Sequence, residues 1–212
     1  VTTFIHSLFE KFDADKIINN MMKSPKWPEN KYYGMTKSEI KSLWNKNGEV
    51  AAAAGTKLHY DIECTYNEMP VTNDSVEYKY FLQFWEDYKK TGNLEPYRTE
   101  MLIFDEELCL AGSIDMIFKC SDGSYEIYDW KRTKEIVKAS KWNKWIKNDT
   151  ISYLPDTNYW HYALQLNTYK AILIKKYGMN VGNLYLVVLH PDNKIYLHIP
   201  VVDLQDEVEK LI

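Results

Sequence analysis

The sequence predicts an α/β fold with a helical N-terminal part, on three observations. Helical periodicity fills about the first ninety residues, period-two alternation sets in at Pro96, and no repeat or low-complexity linker interrupts the 212 residues. The chain therefore reads as one domain, with residues 1–92 mainly helical and residues 93–212 forming a sheet core. Hydrophobic residues make up 45% of the chain and aromatics 15%, which suits a packed globular fold and excludes a disordered one.

Each element has a local reason. Thr2 or Thr3 caps a helix over FIHSLFEKF, and ADKIINNMMKS forms a second that breaks at Pro25 and Pro28. Thr36 followed by Glu39 is a capping box for a long helix through Trp44, Ala51 to Ala54, His59 and Glu63, with Gly48 and Gly55 as candidate bends. SVEYKYFLQFWEDYKK is an amphipathic helix terminated at Gly92. YRTEMLIF, ELCLAGSIDMIFK and SYEIYDWKR, separated by DEE and SDG, read as an antiparallel meander. A lysine-rich, Trp-containing segment follows, then a helix from Tyr159 to Tyr177 stopped by Gly178. NLYLVVLH and KIYLHIPV make a hairpin across PDN, and VDLQDEVEKLI is a closing helix.

The formal charge of −4 argues against a protein that coats nucleic acid nonspecifically, although it permits local basic patches. Cys64, Cys109 and Cys120 have no CxxC spacing and leave one thiol over in any disulfide scheme. A reducing intracellular compartment, cytoplasm or nucleus, and no structural zinc follow as expectations. No apolar run of roughly 18 residues and no basic-then-apolar leader is present, so neither a membrane span nor a signal peptide is expected.

The stretch GSIDMIFKCSDGSYEIYDWKR places Asp115, Asp129 and Lys131 among apolar residues. Residues two apart on a strand share a face, so Asp129 and Lys131 point one way and Tyr128 and Trp130 the other. Asp115 joins them only if Cys120 pairs with Ser124 around a three-residue loop, Ser121-Asp122-Gly123; a two-residue Asp-Gly loop would send the aspartates to opposite faces. Two aspartates so close repel unless a cation sits between them, and carboxylate oxygens favour Mg²⁺ or Mn²⁺, one ion or two. Without a metal the same residues would be a strand-end ion pair and a bulge cap.

With GSID and YDWK in place, and with AGTKLH ending at His59 and QLNTY from Gln165 to Tyr169, the chain resembles the PD-(D/E)XK nucleases, and within them the RecB-type exonuclease branch. The four elements occur in the family's order over most of the chain. The resemblance implies a restriction-endonuclease-like core, a central mixed sheet flanked by helices. It implies that Asp115, Asp129 and Lys131 are catalytic and that His59, Asp115, Asp129 and the Trp130 carbonyl bind metal. Gln165 and Tyr169 would then face the DNA backbone. Glu100 is a further metal candidate, since a turn at Asp105 to Glu107 sets it across from Gly112 and Ser113. Relatives with an iron–sulfur cluster use four cysteines; with three in other positions, no cluster is expected.

The segment from Lys131 to Lys147 carries seven basic residues and one glutamate. Directly after the catalytic strand, Arg132, Lys134, Lys138 and Lys141 are candidate phosphate contacts, and Trp142 a candidate stacking residue. The implied activity is metal-dependent hydrolysis of DNA phosphodiester bonds from strand ends, in repair, recombination or replication. Any helicase or recombination partner would come from another chain. The rival readings are a catalytically inactive nuclease-fold module that binds DNA and an RNA endonuclease of the same fold.

Overall fold

The computed structural model describes residues 1–91, 93–140 and 144–212. The chain divides into two compact units, one of Lys11–Lys57 and one of Val1–Glu10 with Leu58–Ile212. In the smaller unit, the Asp13 side chain accepts from Lys16 N and starts helix α2, Ala14–Lys23; α1, Thr2–Ser7, precedes it in the other unit. Pro28 sits in a single 3₁₀ turn, Trp27–Glu29. The expected capping box opens α3, Lys37–Tyr66. Glu39 N donates to Thr36 Oγ1 at 3.3 Å, and Thr36 N donates to Glu39 Oε2 at 2.7 Å. Gly48 and Gly55, expected as bends, are both taken up without a break in the helix, which continues past Leu58 into the larger unit.

The larger unit is built on a five-stranded mixed sheet of order β1-β2-β3-β4-β5. Its strands are β1 Leu94–Asp105, β2 Leu110–Cys120, β3 Tyr125–Lys131, β4 Val181–Val188 and β5 Leu197–Pro200. The first three form the antiparallel meander, and β4 then runs parallel to β3 because helix α5, Asn158–Tyr177, carries the chain back across the sheet. Gly178, at φ 64°, supplies the left-handed stop that ends α5.

Strand alternation divides the core between the two sheet faces. Ile117 and Ile127 pack with Leu164 and Leu173 of α5, whereas Met116, Phe118, Tyr128 and Trp130 pack with Leu58 and Ile62 of α3 and with Phe81 and Phe84 of helix α4, Val76–Lys89. Ser75 caps α4, whose expected terminator, Gly92, lies outside the described residues. Helix α6, Gln205–Leu211, is tied to α5 through the fully buried Asn167. Its amide donates to the Ala163 and Val202 carbonyls and accepts from Leu204 N and Gln205 Nε2. Cys64, Cys109 and Cys120 are all free thiols. No helix among the described residues is long and apolar enough to cross a membrane.

Candidate metal centre

The β2–β3 turn has the three-residue form. Cys120 N donates to Ser124 O at 2.8 Å, and Gly123 closes the loop at φ 84°. The resulting ladder reaches Met116↔Tyr128 and stops there. One step further, where Asp115 and Asp129 would pair, a side chain replaces the backbone rung: Trp130 N donates to Asp115 Oδ2 at 2.9 Å. The fork between β2 and β3 opens at this level.

Glu100 stands at the same level. The expected register placed it across from Gly112 and Ser113, but β1 pairs Thr99 with Met116 and Met101 with Ile114, so Glu100 falls opposite Asp115. The longer tight turn at the end of the arm, Asp105 to Leu110, sets this register. Ser113 still reaches Glu100, donating from Oγ to Oε2 at 2.7 Å. Glu100 has φ 44°, a left-handed backbone that costs a non-glycine residue about 1–3 kcal/mol and that the surrounding pairing must hold in place.

His59 enters from α3. Its Nε2 lies 3.0 Å from the Trp130 carbonyl oxygen, which can only accept, so the proton belongs on Nε2 and the Nδ1 lone pair faces the carboxylates. Nδ1 is 3.5 Å from Asp115 Oδ2 and 4.0 Å from Glu100 Oε1. One ligand atom from each of His59, Glu100 and Asp115 lies within 4.8 Å of the other two. Burial holds the His59 pKa below the ordinary histidine value, opposed by the Asp129 charge and reinforced by that of Lys131, which favours the neutral ring. Burial, then the Asp129 carboxylate, push the Asp115 carboxyl well above the usual aspartate range against the opposing pull of Lys131. Burial and the neighbouring carboxylate make a charged Asp115 costly unless a cation offsets it, and the imidazole-plus-carboxylate set suits a hard divalent one.

Asp129 and the Trp130 carbonyl, both expected as ligands, lie at the same fork, each against another group of the protein. The carbonyl lies 3.0 Å from His59 Nε2, and Asp129 Oδ2 is 2.7 Å from Lys131 Nζ, an ion pair. Burial works against the Lys131 charge, but Asp129 and Asp115 outweigh it and hold the ammonium above the usual lysine value. Gln165 and Tyr169 share one face of α5, with Gln165 Nε2 donating to the Tyr169 hydroxyl at 2.9 Å. The Tyr169 ring lies against Gly112, where a Cβ would stand 2.6 Å from its Cε1.

No protein-family model matches the chain, and a search of curated proteins found no match.

The basic segment is largely engaged within the protein. Arg132 Nε bonds Glu77 at 2.7 Å, Lys134 Nζ bonds Asp192 at 2.8 Å, and Lys138 Nζ lies 4.5 Å from the centre of the Tyr159 ring. Lys141 and Trp142 lie outside the described residues. Three contributors had no motif to announce them. Ser113 is visible only once the register is known, Glu77 only once α4 is docked, and Tyr162, whose ring centre is 4.6 Å from Lys131 Nζ, only as the residue one helical turn before Gln165.

Proposed function

We propose that the chain is a metal-dependent nuclease with a PD-(D/E)XK-type core that hydrolyses DNA phosphodiester bonds from strand ends. The observation that carries this reading is the convergence of one ligand atom each from His59, Glu100 and Asp115 within 4.8 Å of one another, at the open fork that also holds Lys131. His59, Glu100 and Asp115 would hold Mg²⁺ or Mn²⁺, which when bound lowers the pKa of a coordinated water and neutralises charge on a phosphoryl oxygen. No cysteine takes part in this set.

The protein's own groups supply the rest. Trp130 orients two of the ligands, its N–H fixing the Asp115 carboxylate and its carbonyl fixing the His59 tautomer. Ser113 steers Glu100. Asp129 keeps the Lys131 ammonium in the fork, from which it can give charge-assisted hydrogen bonds to a phosphate oxygen. The preference for DNA ends rests on the likeness of QLNTY to the exonuclease branch, and a helicase or recombination partner remains part of that likeness alone.

The deciding assay incubates the protein with end-labelled linear, circular and single-stranded DNA and with RNA, in Mg²⁺, Mn²⁺ or EDTA, beside Asp115→Asn and Lys131→Ala. Linear DNA should shorten from its ends with either metal and stay intact in EDTA and in both variants. Cutting of circular DNA would remove the end requirement, and preferential cutting of RNA would favour the endonuclease rival. If wild type leaves every substrate whole, the nuclease reading is lost.

A further inference from the structure

Lys131 has two neighbours at its charged end. Asp129 Oδ2 is 2.7 Å away, and the Tyr162 ring lies with its centre 4.6 Å from Nζ, inside the range in which an ammonium is attracted to an aromatic face. Alternation on β3 turns Asp129 and Lys131 to the same side, toward α5. On α5, Tyr162, Gln165 and Tyr169 follow one another at three and four residues and form a single stripe. Tyr162 is half-buried on the rim of the core, and its hydroxyl ionises less readily than usual because of burial, with the Lys131 charge opposing that shift.

The two neighbours do different things. The Asp129 contact holds the ammonium by charge, through one oxygen at 2.7 Å. A flat ring set to one side restricts where the amine of a flexible four-carbon stem can go. A phosphate or cation arriving in the fork competes for the charges there, whereas the ring is a neutral partner that neither would displace.

We infer that Tyr162 is a positioning residue for Lys131, its ring keeping the ammonium in the fork when a phosphate draws it from Asp129. The kinetic consequence rests on the nuclease reading; the contact itself does not. The ring rather than the hydroxyl does this, so Tyr162→Phe retains it and Tyr162→Leu, which keeps apolar bulk on the core rim, removes it.

The test has two arms. In ¹³C-lysine-labelled protein, with Lys131 assigned by Lys131→Arg, the ring current of Tyr162 shifts the Lys131 Cε protons upfield in wild type and in Tyr162→Phe but not in Tyr162→Leu. In the cleavage assay, Tyr162→Leu lowers kcat about 5- to 30-fold, which is about 1–2 kcal/mol at about 1.4 kcal/mol per decade, with KM within about two-fold and Tyr162→Phe close to wild type. Unshifted Lys131 protons in wild type overturn the proposal. So does a folded Tyr162→Leu with undiminished kcat, or an equal loss in Tyr162→Phe, which would assign the effect to the hydroxyl. If wild type cleaves nothing, the nuclease reading fails, and the spectroscopic arm alone decides whether Tyr162 holds Lys131.

Discussion

Replacing Gly112 by alanine tests how tightly the α5 stripe is pressed on the sheet. The backbone at Gly112 is not left-handed, so alanine meets no conformational penalty there and, by restricting the unfolded chain, would stabilise the protein by about 0.4–1 kcal/mol in open space. The space is not open. The new Cβ would stand 2.6 Å from Tyr169 Cε1, against the 3.4 Å at which ordinary contact begins, so ring and strand must part by about 0.8 Å. Tyr169 is 3% exposed and held by Gln165, and forcing extra bulk into such a site costs about 1–3 kcal/mol. For a chain of this size that lowers Tm by about 2–12 °C. The assay is urea or thermal unfolding of Gly112→Ala, Tyr169→Ala and the double variant. Tyr169→Ala alone should cost about 3–5 kcal/mol, and adding Gly112→Ala to it should cost nothing further, because the methyl then enters the vacated space. Strict additivity, within about 0.5 kcal/mol, or a Gly112→Ala protein more stable than wild type, would refute the packing argument.

Saturation with Mn²⁺ at about a hundred times its Kd should add about 2.7 kcal/mol, or about 5–11 °C of Tm, and the increment should vanish in Asp115→Asn; an equal increment in that variant would place the cation elsewhere. His198, whose Nδ1 is hydrogen-bonded to the Tyr88 hydroxyl at 2.6 Å and whose ring stacks on Tyr128 and Tyr185, is held by burial at a pKa of about 4. Below pH 6.5 the unfolded chain takes up a proton that folded His198 refuses until about pH 4, so stability is full above 6.5 and falls through that window by at most about 3 kcal/mol. Urea unfolding across the window should show a shallower loss in His198→Phe, and identical slopes would exclude His198 as the cause. Asn167→Ala strands Leu204 N and the Val202 carbonyl in the α5–α6 seam and should cost about 2–4 kcal/mol by denaturant midpoint; a loss under about 0.5 kcal/mol would mean that water replaces the amide.

Most of the frame was legible because its signals are local. The capping box at Thr36, the left-handed stop at Gly178 and the loop through Gly123 each depend on a few neighbouring residues, and the last of these set the β2–β3 register in advance. What the sequence could not carry was anything decided by two elements at once. Gly48 and Gly55 look like breaks by propensity, yet the helix runs through them. Glu100 was identified as a candidate but placed against the wrong partners, because the length of the β1–β2 turn is not written in DEE. Arg132 and Lys134 look free in a basic run, and only the docked α4 and the His190–Asn193 turn bring Glu77 and Asp192 to meet them. Asp129, equivalent to Asp115 by spacing, differs from it because Lys131 folds onto one and Trp130 N–H onto the other.

The grip of Asp115 and His59 on the Trp130 main chain bears on how a mutational survey of this protein would read. Alanine at either position would remove a proposed ligand and also untie a buried backbone group, so intolerance there would be recorded whether or not cells need the chemistry. Only Asp115→Asn, which still accepts from Trp130 N–H, separates a requirement for shape from a requirement for charge. A position at which alanine and asparagine are equally damaging is a requirement of the site; one at which asparagine is tolerated is a requirement of the fold.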